Sequence, residues 1–366
     1  GFLLLLGLPV MCCELAVGRG SQRSIANSFE VLEKKGQKWH WMKYLGIGGN
    51  YLLMMFYTVI AGWMLVYFWQ YLTGGELIAL GNDIPALGAY FGGILEQPWL
   101  LIGTTAIIVV GCFLVCSLGL QKGVERITKV MMVLLFVLII GLAVYSCTLP
   151  GAADGLKFYL IPSLAKMQEE GIVNVIAGAM NQAFFSLSLG IGSMAIFGSY
   201  IGKERALMGE AVNVAVLDTF VAITSGLIIF PACFAYNIQV DSGPDLLFIT
   251  LPNVFNNLPG GRFWGSLFFL FMSFAALSTV FAVFECIISC VMDLTRWPRQ
   301  KTCLVCCVAM LVLALPCALG WNVLSFIKPF GGSSTIMLYR DQYGRYGEPG
   351  QVQMINNYSV LAVNPN

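Results

Sequence analysis

Long apolar runs separated by short polar connections dominate the chain. A membrane-spanning helix needs ~20 mostly apolar residues. By that rule the pattern predicts helices near 1–17, 42–72, 98–120, 126–148, 171–199, 206–236, 262–291 and 302–326. Lysine and arginine sort onto alternate connections. Arg19, Arg23, Lys34, Lys35, Lys38 and Lys43 share one, Lys122, Arg126 and Lys129 the next but one, then Lys203 and Arg205, then Arg296, Arg299 and Lys301. The intervening connections carry only Lys157, Lys166 and Arg262. This alternation is the positive-inside pattern of a multi-pass membrane protein, with the basic connections facing the cytoplasm. It fits a cell inner (plasma) membrane.

One segment violates the apolar rule from within. Asn181-Gln182-Ala183-Phe184-Phe185-Ser186-Leu187-Ser188-Leu189-Gly190-Ile191-Gly192 places glutamine, two serines and two glycines inside the run 171–199. Each glycine costs a helix ~1 kcal/mol relative to alanine. Backbone leaves the helical state at membrane depth only where it lines a cavity or is buried in protein. The sequence therefore predicts a helix broken near the bilayer midplane, the place where secondary transporters bind substrate and ions. Residues 237–261 mix turn formers with apolar residues and are expected to dip back over the bundle. From Lys328 onward the chain turns polar and rich in Tyr, Gln, Asn and Gly, which predicts a transmembrane bundle over 1–327 and a disordered tail over 328–366.

Composition sharpens this picture. The 366 residues are 58% hydrophobic and 11% charged, against ~25% charged in soluble domains. Net charge is +1, so nothing marks a nucleic-acid partner. The 12 cysteines lie in or beside apolar segments and read as small packing residues. His40, at a helix mouth, is the one histidine. A dinucleotide fingerprint after a strand, a P-loop, His-Glu-x-x-His and a Gly-x-Ser-x-Gly elbow are all missing, so the sequence does not read as an enzyme. The chain opens inside apolar sequence at Gly1, with no basic region before it, which is not a signal-peptide pattern. A helix begun in mid-membrane would leave N–H groups unpaired in lipid, so a preceding segment is expected.

Three carboxylates stand in or near apolar segments, where acidic groups mark function by default: Glu14, Asp218 and Glu285. Glu14 is read as a partner of Arg19, and Asp218 as a functional acid. Glu285 reads equally as a lock between helices or a transport residue. Ser278 and Thr279 are adjacent hydroxyls that either bond back to the preceding turn or join Ser186 and Ser188 in an oxygen-rich set suited to a hard cation. Tyr57, in mid-helix, has its hydroxyl for another helix or for a ligand.

Four stretches resemble the bacterial branch of the neurotransmitter:sodium symporter family, the LeuT-like amino-acid transporters. They are Gly7-Leu8-Pro9-Val10-Met11 with Glu14-Leu15-Ala16-Val17-Gly18-Arg19, the Tyr57 helix ending in Trp63, Gln182 to Gly190, and Ala275-Ala276-Leu277-Ser278-Thr279. The resemblance runs from residue 1 to about 337. It implies an all-α integral membrane fold, a LeuT-like inverted-repeat helix bundle that is incomplete. About eight helices, family helices two (partial) to nine, would be present, truncated at both ends.

The resemblance also implies roles. Tyr57 would hold the substrate carboxylate, and Ser188 would contact its amino end. Leu53, Phe184, Phe185, Ile191 and Val283 would surround its side chain, with Phe185 as the outer lid. One sodium would take the Ala275 carbonyl and the Ser278 and Thr279 hydroxyls, and the other would take Ser186. Gln182 corresponds to a residue near the chloride site of chloride-dependent members. Asp218 corresponds either to a bacterial acid that replaces chloride or to a sodium ligand. Sodium, at two sites in the intact family member, and an amino acid, a hydrophobic one by the pocket residues, are thus the expected cofactor and partner, by symport with alternating access. The family's first helix supplies half of both sodium sites and has no counterpart here, so the fragment itself is expected to be inactive. The rival reading is a non-transporting binding or regulatory membrane protein, or a nonfunctional truncated product, on the same fold.

Overall fold

The computed structural model describes residues 1–81, 83–119, 125–162, 167–168, 171–235, 244 and 246–324, and the backbone of 352–355 and 360–363. After a turn of wider helix at Leu3–Gly7 the helices are α1 (Leu8–Ser21), α2 (Ile25–Leu32), α3 (Met42–Thr73), α4 (Glu76–Ala79), α5 (Ile84–Leu95), α6 (Pro98–Ser117) and α7 (Arg126–Cys147). They continue as α8 (Ala152–Leu160), α9 (Ile172–Ser186), α10 (Ser193–Tyr200), α11 (Leu207–Ala235), α12 (Leu251–Asn257), α13 (Gly261–Thr295) and α14 (Arg299–Leu319). Among the described residues, seven stretches are long and apolar enough to cross a membrane. They coincide with seven of the eight expected segments. The eighth, 171–199, is split between α9 and α10.

The connections hold more helix than expected, because α2, α4, α5, α8 and α12 are too short for a spanning-length rule. Their starts are nonetheless chemically ordinary. Asp83 accepts the Ala86 amide at 3.3 Å and Pro85 follows in the first turn, while Pro252 opens α12. Proline suits a first turn because its missing N–H would have no helical partner there.

The spine of the molecule is α3 packed along α13, with α6 and α14 beside it and α7 joining α13 to α11. At the end of α3 away from the basic connections, Phe91 stacks on Phe248 and Trp63 meets both rings edge-on. Tyr67 donates to the Phe248 carbonyl at 2.9 Å, and Tyr71 to the Pro252 carbonyl at 3.2 Å. Residues 246–258 of the 237–261 connection thus fold back into the bundle, burying Phe248, Leu251 and Val254. Its first part lies outside the described residues. So does most of the stretch expected to be a disordered tail, although within it Val352–Ile355 pairs antiparallel with Val360–Val363.

Two devices fix the basic end. First, α1 crosses α10 where both are stripped to glycine. A Cβ at Gly18 would collide with the Ala195 carbonyl, and one at Gly198 with the Leu15 carbonyl. Small residues permit such close backbone approach. Second, Glu285 of α13 is fully buried and is held by both terminal nitrogens of Arg299, with Nη1–Oε1 at 3.0 Å and Nη2 on Oε2. Arg299 also donates from Nε to the Cys116 carbonyl of α6 at 2.8 Å, and Tyr200 of α10 donates to Glu285 Oε1 at 3.4 Å. Glu285 is therefore a lock between helices, and Arg299 is more than a marker of topology. All twelve cysteines are free thiols, most of them buried.

Gly18→Leu should destabilise the chain by about 2 kcal/mol or more, the range of overpacked cores, read as a lower melting temperature in detergent; an unchanged melting temperature would contradict the crossing. Arg299→Ala strands a buried carboxylate and should cost about 3–5 kcal/mol. The double variant Arg299→Leu, Glu285→Leu should melt well above it. If the separate losses of Arg299→Leu and Glu285→Leu added up to the loss of the double variant, the two side chains would not act as a pair.

Candidate functional site

The site is the gap between α9 and α10. From Leu187 to Gly192 the chain is not helical, and Ser188 (φ 53°), Gly190 (φ 89°) and Gly192 (φ 78°) take the left-handed conformation. Glycine adopts it freely, whereas at Ser188 it costs roughly 1–2 kcal/mol. Two reverse bonds close the end of α9: Ser188 N to the Phe185 carbonyl and Leu189 N to the Phe184 carbonyl, both at 3.0 Å.

Three other helices bond to the backbone of the uncoiled stretch. Glu14 of α1 accepts the Gly190 amide at 2.6 Å. Asn50 of α3 donates to the Ile191 carbonyl at 2.7 Å. Cys286 of α13 reaches the Gly192 carbonyl at 3.8 Å through its thiol. This corrects the reading of Glu14 as a partner of Arg19. Residues five apart on a helix do not face each other, and Arg19 instead donates to the Arg205 carbonyl at 2.7 Å. Ends of helices face the gap from both sides. The carbonyl end of α9 carries partial negative charge toward it and the amide end of α10 partial positive charge. That pairing suits a cation and a carboxylate held side by side.

The expected residues fall into four groups, with Phe184 apart from them. Ser186, the last residue of α9, donates to Asp218 Oδ2 on α11 at 2.5 Å, a short charge-assisted bond if the carboxylate is ionised. Gln182 lies one turn earlier on the same face of α9 and is exposed. On α13, Ser278 donates to the Ala275 carbonyl at 2.8 Å and Thr279 lies 3.5 Å from the same oxygen, so three oxygens share one turn. Leu53, Tyr57 and Ile191 are half-buried against the central cluster that contains Val283, itself 1% exposed. Phe185 and Ser188 are half-buried at the break. Phe184 is not with them; it packs with Met11, Leu15, Leu187 and Leu189 on the α1 side.

Asn50 was missed by sequence reasoning. It is fully buried in the run Gly46-Ile47-Gly48-Gly49-Asn50, and a lone amide amid glycines on a spanning helix is the signal that could have found it. A cleft of about 1080 Å³ opens elsewhere, between α3, α5 and α6, lined by Trp69, Gln70 and Tyr90 among others. It does not touch the break.

Residues 94–340 match a family model described as the sodium:neurotransmitter symporter family. The chain is 33% identical over 330 residues to an uncharacterized sodium-dependent transporter, YhdH, of Bacillus subtilis, covering 90% of this chain and 71% of that protein. It is 32% identical to an uncharacterized sodium-dependent transporter of Haemophilus influenzae, over 90% of this chain and 73% of that one. The crystal structure of MhsT in complex with L-phenylalanine superposes with a TM-score of 0.79 at 36% identity, covering 90% of this chain and 73% of MhsT. The helices, the broken passage and these relatives agree: the chain belongs to the sodium:neurotransmitter symporter family, membrane-embedded sodium-dependent transporters with the LeuT-like helical fold and not enzymes.

Proposed function

We infer that the gap between α9 and α10 binds a hydrophobic amino acid together with sodium and that the intact site carries both across the plasma membrane by alternating access. The uncoiling of residues 187–192 carries this reading, because it sets two helix ends facing a gap where a continuous helix would offer none. Tyr57 would hold the carboxylate, and Ser188 the amino end. Leu53, Phe185, Ile191 and Val283 would receive the side chain, their apolar character favouring an aliphatic or aromatic one. Phe184 packs on the α1 side, which argues against a lining role. The L-phenylalanine in the MhsT structure supports the substrate class.

Ala275, Ser278 and Thr279 would give one sodium three oxygens, and Ser186 would serve the second. Asp218, bonded to Ser186, would supply the negative charge that chloride supplies in chloride-dependent relatives; Gln182 would lie beside it. At 100 mV each sodium charge contributes ~2.3 kcal/mol. Two supply ~4.6 kcal/mol, about three decades of accumulation.

Hard cations surround themselves with about six or more oxygens, so three at α13 do not complete a shell. Residues 1–366 alone are therefore expected not to transport. In proteoliposomes with an inward sodium gradient, the 366-residue chain should take up no radiolabelled L-phenylalanine or L-leucine above background. A chimera carrying the segments of the Bacillus subtilis relative that lie outside the matched region should take up at least one of them, and Ser278→Ala with Thr279→Val should raise its sodium requirement about tenfold or more. Uptake by the 366-residue chain would refute the first statement. A chimera that binds without uptake, or does neither, would refute transport.

A further inference from the structure

The glycine-rich start of α3 has no part in the reading above, yet the uncoiled stretch rests on it. Gly46, Gly49 and Asn50 share one face of the helix, being three and four residues apart. A Cβ at Gly46 would meet Ile25 at 2.9 Å and lie 3.7 Å from the Ile191 carbonyl oxygen, and one at Gly49 would touch the Ile191 side chain at 3.6 Å. A Cβ at Gly192 would in turn meet Ile25 at 2.6 Å. Bare backbone at Gly46 and Gly192 makes room for Ile25 of α2 between them, and at Gly46 and Gly49 it lets Ile191 lie against α3.

Asn50 closes this seat. It is 0% exposed. Its amide nitrogen donates to the Gly46 carbonyl at 2.6 Å and to the Ile191 carbonyl at 2.7 Å, and its oxygen faces the Ser193 hydroxyl at 3.4 Å. The amide thus uses both N–H groups and its oxygen. Turning it over would set oxygen against two carbonyl oxygens, so the surroundings admit one orientation. Other side chains fail at this place for simple reasons. Aspartate at neutral pH has no donor, leucine has neither donor nor acceptor, and serine is short and bonds back within its own helix.

We propose that Asn50 is a positioning residue that seats the uncoiled stretch on α3, fixing the height of Ile191 and of the Gly190–Ser193 backbone under the amino-acid pocket. Leu53 is one turn above Asn50 on the same helix and Tyr57 two turns above. The bond from Asn50 therefore sets the spacing between the residue proposed to hold the carboxylate and the residue proposed to meet the side chain. That functional meaning rests on the preceding reading of the site; the seat itself does not.

Hydrogen exchange of the 366-residue chain in lipid nanodiscs, without sodium or amino acid, tests the seat. Asn50→Ser keeps a bond to Gly46 and loses the reach to Ile191. Asn50→Leu keeps the volume and loses all three bonds. In both, peptides covering 187–196 should exchange about tenfold faster or more, while peptides covering α14 and the Glu285–Arg299 lock keep their rates, as expected for a local opening. Unchanged exchange at 187–196 in both variants would overturn the proposal. Equal acceleration over the whole chain would overturn it too, since Asn50 would then hold the bundle and not the break. Because the readout involves no ligand, a failed uptake experiment and a failed exchange experiment condemn different statements.

Discussion

Backbone N–H and C=O groups cannot be left without partners where water is excluded. In hydrocarbon each orphan costs several kcal/mol, so a helix can open in mid-membrane only if other parts of the protein take over its broken bonds. Everything at this site follows from that requirement. Glu14, Asn50 and Cys286 come from three different helices, and each takes one group of the uncoiled stretch. The break is thus a property of the whole bundle and not of residues 187–192 alone. It also explains why polar residues stand on helices that otherwise read as featureless lipid-spanning segments.

The parts that hold the break differ in kind. The α1–α10 crossing is a contact of bare backbone, made by Gly18 and Gly198, and it resists separation only through close packing. The Glu285–Arg299 lock is ionic and dry on the carboxylate side, and through Tyr200 it reaches the same α10. A transporter must let its substrate site open alternately to each side. Short polar contacts that can be exchanged for others suit moving elements, whereas the continuous apolar packing of α3 along α13 suits a frame. The arrangement divides along that line, with the uncoiled stretch and α10 joined to the frame by a few directional bonds.

Much of this was legible in the sequence because membrane insertion writes strong signals. Passages of about twenty apolar residues and alternating basic connections located the seven membrane-length helices among the described residues. Serines and glycines inside one passage located the break. What stayed hidden depends on proximity in space. The partner of Glu14 is a backbone amide 176 positions away, and nearness in sequence pointed instead to Arg19, on another face of the helix. Arg299 looked like a loop charge because its carboxylate lies on the preceding helix beyond a tight turn. Asn50 carries no motif, and its role exists only once Ile191 lies against it. Phe184 and Phe185 are neighbours in sequence, yet Phe184 turns toward α1, a distinction that only the end of α9 decides. The short helices escaped because a length rule tuned to membrane crossing does not see them.

The main chain uncoils between Ser186 and Ser193 and is held there by side chains of other helices. A cryo-electron microscopy map of the chain in a lipid nanodisc tests it most directly. The map should show an interrupted helix with the Gly190 amide on Glu14 and the Ile191 carbonyl on Asn50. Continuous helical density from Ile172 to Tyr200 would contradict it.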